Sequence, residues 1–529
     1  MPVPGPGPAQ GPALLAGGRF HEAAEWYAQA VRQQPDAVAA RVGLGRALAG
    51  AGDWIAAAAW LSDALRIAPQ ADEPLQLLAD LLLAHKQPAQ ALPLYMQLLE
   101  RPGRRTAPNL LHAGFCQEHA GVLANAIALY RESLAVNPQL MEAHVDLAGV
   151  LWRTEDFEGT LAHARQAVEL APEHAYAQRI LGMALLQVNR LAEAERHLRR
   201  ALELQPGFAL AQLDLAFALL LAGRLEEGWQ WYESRWADAS RSARPPFYQP
   251  QTEWPGPQVS LGGKAIAVYA EQGWGDVLQF LRYLPRLQQL ADRVCCVVHA
   301  QLVPLVEASF PGVECLGPGR ELTVQMHAAL LDLPGRFGTT MESIPAQVPY
   351  VRPPQAARTR WRQRLAPFTG KPRIGLAWSG SRAQVNNDNR AFPLSALLPV
   401  LASCNAHWFN LQKGDAGPWT DTSPEAAGLI DLTSEWGDFG ESAAMFEELD
   451  LVITVDTSIA HLAGALGKPV WILLGPNADW RWLLEREDSP WYPSARLFRR
   501  AFGEPREVQT ARVADALGAW RRSVGKGAS

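Results

Sequence analysis

Six prolines, Pro35, Pro69, Pro102, Pro138, Pro172 and Pro206, punctuate the first part of the chain at spacings of 34, 33, 36, 34 and 34 residues. Proline ends or kinks a helix, because it lacks the amide hydrogen and its ring meets the preceding turn. A break every ~34 residues leaves room for two helices and two short turns. Other positions keep the same phase. Gly45, Gly114, Ala148 and Gly182 stand 24 residues before a proline, and all are small enough for two helices to approach closely. Ala23, Ala57, Ala126 and Ala194 stand 12 before, and Tyr27, Leu61, Tyr130, Ala164 and Leu198 stand 8 before. Thr160 and Ser133 interrupt the alanine pattern but remain small, and the repeat from Leu77 to Pro102 is one residue short. Each helix pair would expose an apolar face that only its neighbour can cover, so the repeats are expected to stack into a solenoid with a concave groove.

From about Leu14 to Trp236 the chain resembles the tetratricopeptide family. The resemblance implies a protein or peptide partner in the groove; the alternative is a scaffold that only positions the C-terminal half. The repeat decays at LEEGWQWYESRW, Leu225–Trp236, whose tryptophans exceed what one helix needs and predict a docking seam to the next domain. A base-stacking surface would need accompanying basic residues, which are missing. Ser242–Gln258 reads as a proline-rich extended connector.

At 529 residues the chain exceeds one core and predicts about two to four domains. The net charge of −6 is spread out, with no basic stripe for nucleic acid. No apolar run reaches the roughly 18 residues that span a bilayer, and the N-terminus lacks the features of a signal peptide. Cys116, Cys295, Cys296, Cys315 and Cys404 form no CxxC pair and no zinc spacing. These features predict a cytoplasmic protein without a metal site.

Beyond the connector the pattern changes to strand–helix alternation. KAIAVYA, Lys264–Ala270, reads as a strand followed by the glycine turn EQGWGD, Glu271–Asp276. A helix is expected from Asp276 to about Leu290, and further strands at Val294–His299, Val313–Leu316 and Gln325–Leu331. Gly273 and Gly275 permit close backbone approach to a ligand. Asp276 is either the cap of its helix or a general base aimed into a cleft. A second block opens with RIGLAW, Arg373–Trp378, ending in Ser379-Gly380-Ser381. Then come the polar loop with Asp388 and Arg390, a strand at His407–Leu411 closing on Gln412-Lys413-Gly414, a strand at Gly428–Leu432, a helix at Phe439–Leu449 and a closing helix at Thr510–Val524.

Within that block, DLVITVDTSIAHLAGALGKPVWILLG, Asp450–Gly475, predicts a β-α-β unit. Asp456, Thr457 and Ser458 start its helix at the carboxyl end of the first strand, where open α/β sheets bind ligands. Ile459, Leu462, Ala463 and Leu466 form the face that covers the sheet. His461 lies about 200° around the axis from Ile459 and is expected to point away from the core, beside a bound anion.

This motif, with EQGWGD, LAWSGS, NNDNR and LQKG in order before it, resembles the heptosyltransferase-like glycosyltransferases of family nine, from about Lys264 to Arg500. The resemblance implies a GT-B fold of two Rossmann-like halves and inverting transfer from a nucleotide sugar without a metal or other cofactor. It makes Asp276 the base, Lys413 a contact to the donor phosphates, and Asp456, Thr457, Ser458 and His461 the motif around the diphosphate. Glu271, Gly273, Gly275, Ser379, Asp388 and Arg390 fall in loops near donor or acceptor.

Three departures bear on substrate. Ser458 replaces a frequent glycine, Arg390-Ala391 replaces Arg-Ser, and the first half spans only about 90 residues from Lys264 to Arg352. Heptose and lipopolysaccharide are therefore not carried over, and the solenoid is given the acceptor. The expected organisation is a solenoid at 1–236, a linker at 237–262, an acceptor-side half at 263–355 and a nucleotide-sugar half at 356–529. The rival readings are a repeat adaptor with an inactive sugar-nucleotide domain, or an enzyme like the O-linked N-acetylglucosamine transferases.

Overall fold

The structure, a computed structural model, describes residues 10–237, 244–320, 322–381, 387–414 and 416–526. The chain forms two compact units, 1–184 and 185–529, and the division falls inside the helix Ala175–Gln187.

The first unit is a stack of helices that begins with Gln10–Ala16, Phe20–Gln33, Val38–Gly50 and Trp54–Ile67. The periodic positions do what their sizes predict. Ala23, Ala57 and Ala126 are wholly buried. A methyl group at Gly45 would lie 2.8 Å from Leu61, and one at Gly114 would lie 2.7 Å from the Tyr130 ring. The two departures are satisfied locally: Ser133 Oγ donates to the Ala107 carbonyl at 2.8 Å, and Thr160 Oγ1 to the Asp156 carbonyl at 2.7 Å. The short repeat also has a shorter second helix: Pro88–Leu99 has 12 residues where Trp54–Ile67 and Leu123–Val136 have 14.

The second unit contains the helices Leu191–Leu204, Ala209–Leu221 and Leu225–Tyr232 together with the α/β region. The tryptophan-rich segment explains why the last repeats go with the sheets. Trp229 is buried, donates Nε1–H to the Thr339 carbonyl at 3.1 Å, and meets Trp480 edge-on at 5.3 Å. Asn189 Nδ2 donates to the Pro476 carbonyl at 2.8 Å. Part of the expected connector, 238–243, lies outside the described residues. Its remainder was expected to be extended but folds into turns, with a 3-10 turn at Pro250–Thr252, and is pinned: Trp254 is wholly buried and donates its amide to the His327 carbonyl at 2.8 Å.

Two sheets, both parallel throughout, make up the α/β region. The first runs in the order β3-β2-β1-β4, with β1 Ala265–Tyr269, β2 Arg293–Val297, β3 Val313–Leu316 and β4 Met326–Ala329. The second runs β10-β9-β8-β5-β6-β7. Its strands are β5 Arg373–Leu376, β6 His407–Asn410, β7 Ile430–Asp431, β8 Leu451–Val455, β9 Val470–Leu474 and β10 Ala495–Arg499. β1, β8 and β9 are buried along their whole length, as continuous apolar runs require. Ile374, Leu376, Leu451, Ile453 and Leu473 pack with Val513 and Leu517 of the closing helix Arg506–Lys526.

Two expectations about elements are corrected. β10 was not foreseen: it lies in a tail rich in tryptophan and charge and gains strand geometry by pairing with β9. The helix expected at 276–290 begins earlier and is broken, as Trp274–Phe280, a 3-10 turn Leu281–Tyr283, and Leu284–Leu290. Pro285 sits in the first turn of the last piece, where a missing N–H costs nothing.

Candidate functional site

Strand order locates the candidate site. From β5 the chain proceeds through β6 and β7 on one side, then returns through β8, β9 and β10 on the other. The loops after β5 and β8 therefore diverge at the carboxyl ends of neighbouring strands, where open α/β sheets leave a crevice. The first sheet reverses likewise between β1 and β4.

The loop after β8 carries Asp456, Thr457 and Ser458. Thr457 caps the helix Ser458–Ala465, its Oγ1 accepting from the Ile459 amide at 3.2 Å, and Ser458 is the first helical residue. Across the crevice, Ser379 is buried in the loop after β5: its Oγ accepts from Asn387 Nδ2 at 3.2 Å, and Asn387 Oδ1 accepts from the Gly380 amide at 2.9 Å. Arg390 spans the two loops. It donates to the Asp456 carbonyl at 2.8 Å, and a Cβ at Gly380 would lie 2.3 Å from its guanidinium. Burial lowers the Arg390 pKa, with Asp456 opposing.

The loop after β1 meets this site. Asp276 is the third residue of its helix, not the cap residue: the cap is Gly273, and Asp276 Oδ2 reaches back to accept from the Gly273 amide at 3.1 Å. Its other oxygen accepts from Arg481 at 2.5 Å, and Arg481 also pairs with Asp479 at 2.9 Å. Gln279 Oε1 accepts from Arg481 Nε at 2.6 Å. Burial raises the Asp276 pKa while Arg481 opposes it; the Asp456 carboxyl is raised too, by burial and by Asp479, with Arg390 opposing. Gly275 is what lets the two loops touch, since a Cβ there would lie 2.8 Å from His461 and 3.6 Å from the Ser458 Cα.

His461 does not point outward. It is 5% exposed, stacked on Trp482 at 5.4 Å, with Nδ1 2.9 Å from the Tyr492 hydroxyl. The segment 480–492 covers the helix face that the β-α-β unit alone would leave to solvent. Burial, then Arg481, Arg282 and Arg390, push the His461 pKa well down, so the ring is neutral at pH 7.

Not every expected residue joins this cluster. Lys413 is exposed at the end of β6, donating to the Trp436 carbonyl. Asp388 is exposed and accepts from Trp419 Nε1 at 3.2 Å. Glu271 faces the first sheet's switch point: its side chain is wholly buried against Arg235 at 2.8 Å, and Arg235 also meets Asp332 at 2.6 Å. Burial raises Glu271 to about 8 against the pull of Arg235. Gly273 is exposed beside Trp274, which is 44% exposed. Arg481, Asp479, Tyr492, Arg235 and Asp332 were missed from sequence. The available signal was charge placed among tryptophans, in ADWRW and in WYESRW.

Known families match two parts of the chain. Residues 9–72, 145–195 and 181–240 match the tetratricopeptide repeat family, and residues 437–515 match glycosyltransferase family 9 (heptosyltransferase). The second match covers β8, β9 and β10 and includes Asp456, His461 and Arg481. The chain is similar to protein FlbA of Caulobacter vibrioides, 28% identical over 433 residues, covering 76% of this chain and 69% of FlbA. Among solved structures it is similar to YrrB, described as a tetratricopeptide protein with an unusual peptide-binding site. That likeness has 17% identity, a TM-score of 0.31, and covers 36% of this chain and 96% of YrrB. It is also similar to a thermophilic tetratricopeptide protein of Thermus thermophilus, with 24% identity, a TM-score of 0.28, and coverage of 35% and 100%.

Proposed function

We propose that this chain, which carries tetratricopeptide repeats and a family 9 glycosyltransferase segment, is a cytoplasmic inverting glycosyltransferase. Its α/β region is read as a GT-B fold, with donor on the second sheet and acceptor hydroxyl on the first. The observation that carries this reading is the meeting of the β1 loop with the switch-point crevice between β5 and β8, brought about by Gly275.

On this reading the diphosphate of a nucleotide sugar sits in that crevice. Arg390 and the dipole of the helix Ser458–Ala465 meet the charge that develops on the departing group, so the step needs no metal. Asp276 takes the proton of the acceptor hydroxyl as its oxygen bonds to the anomeric carbon and the bond to the diphosphate breaks on the opposite face. Burial makes Asp276 a stronger proton acceptor, Arg481 fixes its orientation, and its side chain keeps 22% exposure through which a hydroxyl can approach. The buried, neutral His461 is assigned a positioning part through Tyr492 and Trp482. The repeats present the acceptor partner.

A second reading has its own observation. Both Asp276 oxygens already accept hydrogen bonds, one from a guanidinium, which suits a domain that binds a donor without turnover. A thermal-shift panel of uridine, guanosine, adenosine, cytidine and thymidine diphospho-sugars tests donor binding. A donor at 100 times its Kd stabilises by about 2.7 kcal/mol, and a flat panel overturns the donor site. Turnover of the bound donor, slow hydrolysis included, separates enzyme from adaptor.

A further inference from the structure

The first unit holds a cavity of about 300 Å³. It is walled by Phe115 on the helix Ala107–His119, by Met141 and Val145 on the helix Met141–Arg153, and by Tyr176. Asp146 and Glu142 line it as well, four residues apart and so on one face of their helix. Tyr176 is 39% exposed, so the cavity has an open rim.

The acidic groups here differ in what they have for partners. Glu118 accepts from Arg153 at 3.2 Å and from the Tyr130 hydroxyl at 3.0 Å. The neighbouring repeat's Asp80 accepts from the Tyr95 hydroxyl at 2.6 Å and faces His112 at 3.7 Å. Asp146 makes no hydrogen bond or ion pair among the described residues. Burial first, then the charges of Glu118 and Glu142, raise its pKa to about 7. His112 and His174 also line the cavity, and a carboxyl that has two acids beside it and no cation partner is a site that a cation relieves and an anion aggravates. The apolar walls suit the aliphatic stem of a long basic side chain, which buries its methylenes while its head seeks charge. At about 300 Å³ the cavity is at the small end of ligand pockets, which run from about 300 to 1,000 Å³.

We infer that this cavity is a specificity pocket for one lysine or arginine side chain of a partner peptide in the groove, with its head on Asp146 and its stem against Phe115, Met141, Val145 and Tyr176. The inference rests on the reading that the repeats present a partner, and it adds the chemistry by which that partner is chosen. A random nonapeptide display library, selected on the full-length chain without any nucleotide sugar, tests it. The expected result is enrichment of lysine or arginine at one aligned position. In a synthetic peptide from that selection, replacing the basic residue by methionine weakens binding by about tenfold or more. Asp146→Asn, close to isosteric, gives a similar loss, and the two losses do not add. Selected peptides without an aligned basic residue overturn the inference, and so does an empty selection. Retained affinity in the methionine peptide overturns it on the unaltered chain, whatever the variant's folding. Saturable binding of putrescine with no peptide enrichment would make this a small-cation site and also overturns it. Because no donor is present, failure of the donor panel leaves this result standing, and failure here leaves the donor site untouched.

Discussion

In the first unit, Arg19 pairs with Glu22 and Arg105 with Glu132, and all four side chains are at least 40% exposed. In the second unit Arg235 and Arg481 are 2% and 7% exposed, each held between two carboxylates. The partners differ as much as the burial does. Arg19 and Glu22 are three residues apart, whereas Arg481 and Asp276 are separated by 205. Water screens an exposed pair, so little depends on it. A desolvated pair makes its neighbours depend on it, because removing one member leaves a bare charge in low dielectric. These two repeat pairs thus act as surface charge, whereas Arg235 and Arg481 use charge to join segments that the chain keeps apart.

The largest effect that tests this contrast is catalytic. Asp276→Asn should lower single-turnover transfer by roughly 10²–10⁴ with donor affinity retained. An asparagine offers one oxygen where Asp276 serves both Gly273 and Arg481, so denaturant titration should also show a loss of about 1–3 kcal/mol. A variant with unaltered turnover removes Asp276 from the chemistry and leaves it a structural clamp.

Arg235→Met should come next. It leaves Glu271 and Asp332 buried without their cation, at a cost of about 3–5 kcal/mol. The contrasting Arg105→Ala should cost within about 1 kcal/mol. Equal losses in denaturant titration of the two full-length variants would break the comparison. Packing in the repeats should matter more than their charge. Gly114→Ala places a methyl 2.7 Å from the Tyr130 ring, and should destabilise by about 1–3 kcal/mol.

A further effect is a slope with pH. The Asp146 pKa is raised on folding, so the native state holds a proton that the unfolded chain releases near the ordinary carboxylate range. Stability from this group is therefore present at low pH and lost as pH rises from ~4 to about 7. Asp146→Asn should flatten that segment of the melting profile, and an unchanged slope would show that Asp146 has no raised proton affinity.

The repeats were legible because their contacts are local. Gly45 and Leu61, or Gly114 and Tyr130, lie within one helix pair, so a period written in the chain is also a list of neighbours. The apolar runs of β8 and β9 were legible for a related reason: a strand buried on both faces needs apolar residues at every position. Sequence alone also placed Asp456, Thr457 and Ser458 at a strand's carboxyl end, and Asp276 in the turn after β1. It could not tell which way His461 points. Helical geometry puts that ring off the sheet face, but the segment that covers it lies some twenty to thirty residues further on. Nor could it pair Asp276 with Arg481 or Glu271 with Arg235. Those contacts depend on how two sheets and a repeat end pack together, and no periodicity records them. Only tertiary structure decided that Asp276, expected as either cap or base, is a reverse cap clamped by a guanidinium. A carboxylate's chemistry is set by what surrounds it, and here the surroundings come from the far end of the chain.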